Sequence, residues 1–207
     1  MTTITTMPRF DEIERHPDDA VTAYTYFPPA ETTMRELAEE LFGTHWRSVV
    51  VGPCIEGAVF EVSFQEPPEI RYLDGYLTVD LGPWHFHLCI GPHKGNSSEE
   101  LRRKRPVAKV AFFERRGKGC AGGRSWGLRL WNGYGEQMAT VFLPNPRISD
   151  DHQILKVPDW SRLDLYYRLR SKYLGEPMPA DLEAIAAQPL PGAVGFSEDS
   201  DVTDVTA

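Results

Sequence analysis

The sequence has only three cysteines, and no two of them are close enough to form a C-x-x-C pair. Cys54, Cys89 and Cys120 are odd in number and widely spaced, which argues against a disulfide framework and for free thiols in a reducing compartment. The chain also lacks any run of about 18 apolar residues, so no segment is predicted to span a membrane. Its polar N-terminus contains no apolar stretch that could act as a secretory signal. We therefore expect a cytoplasmic protein.

Several catalytic and nucleotide-binding motifs are absent as well. The sequence contains no Ser-His-Asp order, no dinucleotide-binding fingerprint and no haem-attachment motif. The stretch RRGKGCAGGRSWG is rich in glycine and basic residues, but it lacks the G-x-x-x-x-G-K-[ST] order of a phosphate-binding loop. It is predicted to be a flexible connection between strands. No recognisable nucleic-acid-binding motif is present, so a nucleic-acid partner is not expected.

Charge is distributed unevenly along the chain, whose formal net charge is −8. Residues 102–175 carry 16 Lys and Arg against 6 Asp and Glu, whereas the remainder carries 6 basic and 24 acidic residues. Such a basic block predicts attraction for a small anionic molecule or for an acidic protein partner. A set of solvated charged faces explains the same distribution equally well.

Short segments with period-two alternation, separated by Gly, Pro, Asp or Asn, fill the middle of the chain and predict antiparallel strands. Their ranges are 48–54, 57–64, 69–73, 76–81, 84–90, 107–114, 125–131 and 138–143. We predict an α+β fold: a single domain with a curved, mainly antiparallel sheet of seven or eight short strands, and two or three helices that cover one face. Open sheet edges would also allow a homodimer.

The best-marked helix is predicted over residues 31–43, where apolar residues recur at i, i+3, i+4, i+7 and i+8. Thr33 and Glu36 have the spacing of a capping box, and Gly43 stands where a left-handed C-cap is expected. These signals together predict an amphipathic helix with a defined start and end.

Further helices are predicted in the second half of the chain. Asp159 and Gly175 are expected to start and stop a long one. A shorter one is predicted in NSSEELRRKRP, with Asn96 or Ser97 as its cap and with acidic residues before basic ones, as the helix dipole favours. The stretch ADLEAIAAQ is compatible with one more short helix.

The chain is predicted to have three parts. Residues 1–30, with scattered proline and threonine, are expected to form an irregular arm, and residues 31–175 the α+β domain. Residues 176–207 are acidic, contain several prolines, and are expected to form a largely disordered tail.

Alternation divides strands 76–81 and 84–90 into an apolar face and a face with reactive side chains. If these strands form a hairpin around Gly82-Pro83, three pairs face each other: Asp80 with His85, Thr78 with His87, and Tyr76 with Cys89. Proline is an awkward second residue for the usual two-residue hairpin turns. A slip of one residue would remove the aspartate from the histidine face, so this register is a conditional prediction.

Three histidines within nine residues form an H-x-H-x5-H pattern, and they predict a metal site. His85 and His87 would project from one side of a strand about 6–7 Å apart, and His93 could turn back as a third ligand. Asp80 could be a fourth ligand, or could orient His85. Three protein ligands with an open position are typical of catalytic zinc, and imidazole also suits iron. Zinc would favour hydrolase or lyase chemistry on activated water, and iron would favour a non-haem oxygenase.

Two basic residues are candidates for holding a small anionic substrate at this site. Lys94 lies in a glycine-bounded loop that leads into a predicted helix N-terminus, where backbone N–H groups favour anions. Arg129 is expected to share the histidine face by alternation in strand 125–131. We therefore expect a small soluble metal-dependent enzyme, with Asp80, Lys94 and Arg129 assisting one divalent zinc or iron ion.

Two alternatives remain open at this point. The chain could be a non-catalytic binding or accessory protein whose basic block, residues 102–175, docks an acidic partner. It could also be a metal-free enzyme in which His85 or His87 acts as a general base and Cys89 as the nucleophile. A strand cysteine is, however, more often a small buried hydrophobe.

Overall fold

The computed structural model describes residues 8–55, 57–93, 95, 97–118 and 123–191. Its strands, in chain order, are β1 (Glu12–Arg15), β2 (Val21–Phe27), β3 (Val50–Gly52), β4 (Cys54–Ile55), β5 (Ala58–Val59), β6 (Val62–Ser63), β7 (Glu69–Leu73), β8 (Tyr76–Asp80), β9 (His85–Cys89), β10 (Val107–Arg116), β11 (Arg124–Asn132) and β12 (Gln137–Phe142). Its α-helices are α1 (Glu31–Ala38), α2 (Glu99–Lys104), α3 (Asp164–Leu174) and α4 (Leu182–Ala187). The prediction of an α+β fold with an antiparallel sheet is confirmed.

The strands form one large and two small sheets. The large sheet has seven strands in the order β1-β2-β10-β11-β12-β3-β6. A three-stranded sheet has the order β7-β8-β9, and β4 pairs with β5 in a two-stranded one. The pairings β1–β2, β11–β12, β12–β3, β7–β8 and β8–β9 are all antiparallel. The sequence predicted the main sheet but not the separation of the histidine strands into a sheet of their own.

The N-terminal part of the chain differs from its prediction, because residues 12–15 and 21–27 are strands rather than an irregular arm. Strand β2 is almost completely buried on both faces, and even Thr22 and Thr25 have no exposed surface. A strand buried on both sides does not alternate between apolar and polar residues, so the period-two signal is lost. Residues 1–7 and 192–207, which the prediction assigned to the arm and the tail, lie outside the described residues.

Helix α1 buries the predicted apolar stripe but begins and ends differently. Met34, Leu37 and Ala38 are at most 4% exposed, as the periodicity predicts. The helix starts after Ala30 with no side-chain cap, so the predicted capping box is wrong. It continues as a π-helical segment, Glu39–Thr44, which contains Gly43 without a positive φ, so the predicted left-handed C-cap is also wrong.

The later helices agree more closely with the sequence. Asp159 caps a 3₁₀ turn, Trp160–Leu163, that leads into α3, and Gly175 ends that helix with φ = 70°. Ser98, one residue after the predicted caps, accepts a hydrogen bond from the Leu101 amide at the start of α2. Glycine suits the end of α3 because it has no Cβ to clash in the left-handed region.

The described residues divide into two compact units. The first comprises those within 1–25, 112–126 and 144–207, and its core includes Phe112, Trp126 and Tyr166. The second comprises 26–111 and 127–143 and contains α1, the three-stranded sheet and most of the large sheet. The described candidate site residues, Asp80, His85, His87, His93 and Arg129, belong to this second unit.

Candidate functional site on the histidine hairpin

Strands β8 and β9 pair in the register that the sequence predicted. Asp80 lies opposite His85, Thr78 opposite His87, and Tyr76 opposite Cys89. The turn is closed by a hydrogen bond of 2.8 Å from the Leu81 amide to the Trp84 carbonyl. Gly82 adopts φ = 83°, a region that an ordinary residue enters only with strain. The chain therefore presents the polar face of the hairpin as one row of side chains.

The two histidines of this row are close together and exposed. The ring centroids of His85 and His87 are 5.0 Å apart, with an angle of 67° between the ring planes. Nδ1 of His87 lies 2.8 Å from Oγ1 of Thr78 across the strand pair. This hydrogen bond holds the His87 ring by one nitrogen and leaves Nε2 on the other side of the ring.

Asp80 is held at the end of the row by groups other than the histidines. Its carboxylate accepts a 2.9 Å hydrogen bond from the Gly82 amide and another from the guanidinium of Arg71. The pKa of Asp80 is lowered below its usual value, mostly by the hydrogen bond from the Gly82 amide and to a smaller extent by Arg71 and His85. The carboxylate is thus ionised and positioned beside His85, but its oxygens are already hydrogen-bonded.

Arg71 was not among the predicted site residues, although the sequence carries a signal for it. Strand β7 pairs with β8 so that Arg71 lies opposite Thr78. The connection between them is Asp74-Gly75, and both residues have positive φ, 50° and 80°. An Asp-Gly pair between two alternating segments is a strong hairpin signal. Applied to residues 69–80, it would have predicted this second hairpin and its arginine.

His93 lies beyond the end of the histidine row and has partners of its own. Its Nδ1 is 3.0 Å from the carboxylate of Asp74, and its ring makes an edge contact with Tyr76 at 5.5 Å. Among the described residues, no group of three or more His, Cys, Asp or Glu side chains is arranged to hold a metal ion. The three-histidine site therefore gains no support from the geometry and stays a prediction. Lys94, predicted to assist it, lies outside the described residues.

Cys89 is on the polar face by alternation but is buried. It is 3% exposed, and its thiol donates to the carbonyl of Gly91 at a distance of 3.5 Å between Sγ and O. Burial raises the pKa of this thiol, although Tyr76 and the Gly91 backbone act in the opposite direction. A buried thiol with a raised pKa is poorly suited to act as a nucleophile.

The opposite face of the hairpin is apolar and faces the core of its unit. A small cavity of about 20 Å³ lies where hairpin residues pack against the large sheet and α1. Its lining includes Leu77 and Leu88 of the hairpin and Leu128 and Leu130 of β11. Arg129 lies between these two leucines in the strand, so its side chain projects from the opposite face of β11, where it is paired with Thr140 of β12. The structure does not bring Arg129 to the histidines.

Many charges of the basic block are paired within the chain. Basic residues of the block that form ion pairs in the described structure include Lys104, Arg115, Arg116, Arg124, Arg162, Arg168 and Arg170. Three of these guanidiniums, those of Arg116, Arg124 and Arg170, are at most 14% exposed. Part of the positive charge therefore stabilises the fold, and docking of an acidic partner stays a prediction.

None of the described helices combines the length and apolar character needed to cross a bilayer.

Residues 11–175 match DUF7676, a family of unknown function, and the chain belongs to that family. No curated protein matches the sequence. Among solved structures, ChuX is similar with a TM-score of 0.49 and 16% identity, over 74% of this chain and 78% of that chain. A protein from Erwinia carotovora has the same score and identity, over 72% and 76%. At this distance the two structures assign no activity or ligand to this chain.

Proposed function

We propose that this DUF7676 protein binds one divalent transition-metal ion through His85 and His87, and that the bound ion acts on a small substrate at the surface of the hairpin. The 5.0 Å separation of the two imidazole rings carries the proposal. Two imidazoles that bind one tetrahedral ion at about 2.1 Å each have ring centroids about 5 Å apart. The observed spacing of the ring centroids is therefore compatible with one ion shared by the two rings.

Thr78 supports the same interpretation. When Nδ1 of His87 carries the hydrogen, it donates to Oγ1 of Thr78 over 2.8 Å, and the lone pair of Nε2 is free to bind a metal. A hydrogen bond on the second ring nitrogen is the usual means by which proteins orient a metal-binding histidine. The hydroxyl limits rotation of the ring, and a metal ion at Nε2 would require the tautomer in which Nδ1–H donates to Oγ1.

The proposal uses two of the three histidines. His93 is not included because Nδ1 lies 3.0 Å from the Asp74 carboxylate. Asp80 acts through charge rather than as a ligand, because the Gly82 amide and Arg71 occupy its oxygens. His85 and His87 would hold the ion from the protein side, and its remaining ligands would come from solvent or substrate. When bound there, zinc would activate water for hydrolysis or hydration, and iron would favour oxygenation.

The direct test is a calorimetric titration of the full chain with ZnCl₂ in a buffer that does not chelate metals. We expect one Zn²⁺ per chain, with affinity reduced at least about tenfold in His85→Ala and in His87→Ala. His16→Ala is the matched control, because His16 is bonded to Thr22 in the other unit, and it should bind as the parent does.

His93→Ala distinguishes the two-histidine site from the three-histidine prediction. Unchanged zinc affinity in this variant supports the proposed pair, whereas a loss as large as that of His85→Ala would restore His93 to the ligand set and overturn the pair. A parent protein that takes up no zinc, or a His85→Ala/His87→Ala variant that binds as the parent does, would refute the metal proposal altogether.

A further inference from the structure

An open cleft of about 780 Å³ lies beside the turn of the histidine hairpin. Its lining comes from β6, from the loop that follows it, from the first residue of β7, and from the hairpin turn. The lining residues are Val62, Ser63, Gln65, Glu66, Pro67, Glu69, Asp80, Leu81, Gly82, Pro83 and Trp84. The volume is within the range of pockets that bind small ligands.

The cleft is acidic. Glu66, Glu69 and Asp80 line it, and no Lys, Arg or His is among its lining residues. The adjacent Arg71 pairs with Asp80 and, at 3.4 Å, with Glu69. One guanidinium thus offsets part of the charge of two carboxylates, and Glu66 adds a third. The remaining negative charge favours a cationic ligand over an anionic one.

Trp84 gives the cleft an exposed aromatic wall. The side chain is 76% exposed although it stands in a tight turn between two ordered strands. The apolar pattern of β9 predicts Trp84 on the same face as Leu88, which is 8% exposed, so the core does not account for the position of the indole. A tryptophan ring is the best side-chain partner for a lysine or arginine cation.

The third feature of the cleft, after its acidic charge and its exposed tryptophan, is the edge of the large sheet. Strand β6 is last in the strand order and pairs with β3 through Val50 and Val51. In the part of the chain that is described, no further strand follows it in the sheet. Its Val62 is 36% exposed and lines the cleft together with Ser63. An unpaired strand edge can accept an extended peptide through main-chain hydrogen bonds.

We infer that this cleft binds an extended basic peptide segment: the peptide backbone adds to the edge of β6, and a Lys or Arg side chain lies between Trp84 and the carboxylates of Glu66 and Glu69, while Asp80 adds negative charge beside them. This occupant follows from the combination of a strand edge, an exposed indole and acidic charge at one place. The inference does not depend on a metal ion at His85 and His87.

The probes are two acetylated and amidated peptides of equal length, one alternating Arg with Leu and the other alternating Glu with Leu. Binding to the full chain is measured by isothermal titration calorimetry. We expect the Arg peptide to bind, with an affinity that falls as salt increases, and the Glu peptide not to bind. Trp84→Ala should weaken binding about threefold to fivefold, and Glu66→Gln/Glu69→Gln should weaken it and reduce its salt dependence.

Controls separate the cleft from general surface effects. Tyr134→Ala removes another aromatic ring that is 51% exposed and lies outside the cleft, and it should leave the affinity unchanged. Equal binding of both peptides, or equal binding by parent and Trp84→Ala, overturns the inference. If arginine amide alone binds as tightly as the Arg peptide, the main-chain contribution is absent, and the peptide assignment is wrong.

Discussion

His87 and Thr78 face each other across the β8–β9 hairpin with 2.8 Å between Nδ1 and Oγ1. This hydrogen bond depends on the strand register, because a slip of one residue would turn one of the two side chains to the apolar face and break the contact. It also engages Nδ1 of His87, so that Nε2 is the ring nitrogen outside this contact.

Replacing Thr78 by valine should weaken metal binding without removing a proposed ligand. The variant keeps a β-branched side chain in the strand but cannot accept a hydrogen bond from Nδ1, so the ring loses its orientation. We expect zinc affinity to fall about tenfold, as measured by titration calorimetry. Thr78→Ser keeps the hydroxyl and should bind like the parent. If valine and serine variants bind zinc equally well, the orienting role of the threonine is refuted.

The most buried charge in the first unit should be important for stability. Arg170 has no exposed surface, and it donates from Nε and Nη2 to the Glu176 carboxylate at 2.8 and 2.9 Å. Its guanidinium also donates to Thr25 and to the carbonyl of Arg9. Glu176→Ala leaves that guanidinium without its counter-ion, so the free energy of unfolding should fall by about 3 kcal/mol. Urea denaturation followed by fluorescence measures this change.

An exposed ion pair in the same unit provides the comparison. Arg168 and Asp164 are paired at 2.6 Å on α3 with side chains 46% and 50% exposed. Asp164→Ala should change the free energy of unfolding by about 0.5 kcal/mol or less. If the two substitutions destabilise the protein equally, the explanation from burial of Arg170 is incorrect.

Alkaline pH should destabilise the first unit through Tyr166. Burial raises the pKa of this hydroxyl from its ordinary value near 10 to about 12. In the unfolded chain the hydroxyl ionises near its ordinary pKa, whereas the folded chain keeps the proton. Between pH 10 and about 12 the unfolded state therefore releases more protons, and stability falls as pH rises through this window.

Measuring the urea midpoint from pH 8 to pH 12 tests this prediction. Tyr166→Phe should be less stable at neutral pH, because it loses the 3.2 Å hydrogen bond with Arg170, but its midpoint should decline less steeply above pH 10. Tyr134→Phe, at a position that is 51% exposed, should follow the parent. Parallel pH curves for the parent and Tyr166→Phe would contradict the assignment.

Cys89 should be unreactive in the folded protein. It is 3% exposed and its pKa is raised by burial, so little thiolate is present at neutral pH and reagents cannot reach it. We expect iodoacetamide to modify Cys89 at least about tenfold more slowly in the native chain than in urea, as followed by mass spectrometry of its peptide. Native modification as fast as in urea would return Cys89 to consideration as a nucleophile.

The polar row of the hairpin could be predicted because it depends on local rules. Residues 76–81 and 85–90 alternate between two faces, and Gly82 supplies the positive φ that the turn needs, so pairing around the turn determines which side chains face each other. The same rules mislead for Trp84, whose position at the turn leaves it 76% exposed although alternation assigns it to the apolar face. They also miss β2, whose two buried faces remove the alternation.

The sequence by itself determined the α+β class, the apolar stripe of α1 and the register of the histidine hairpin, because helix and strand periodicity and turn chemistry act between neighbours along the chain. Only the tertiary structure decided that His93 pairs with Asp74 and that Arg129 belongs to a different sheet from the histidines. It also decided that Trp84, β6 and Glu66 line the same cleft. These relationships join residues from separate elements, and they depend on how sheets and loops pack rather than on any local pattern.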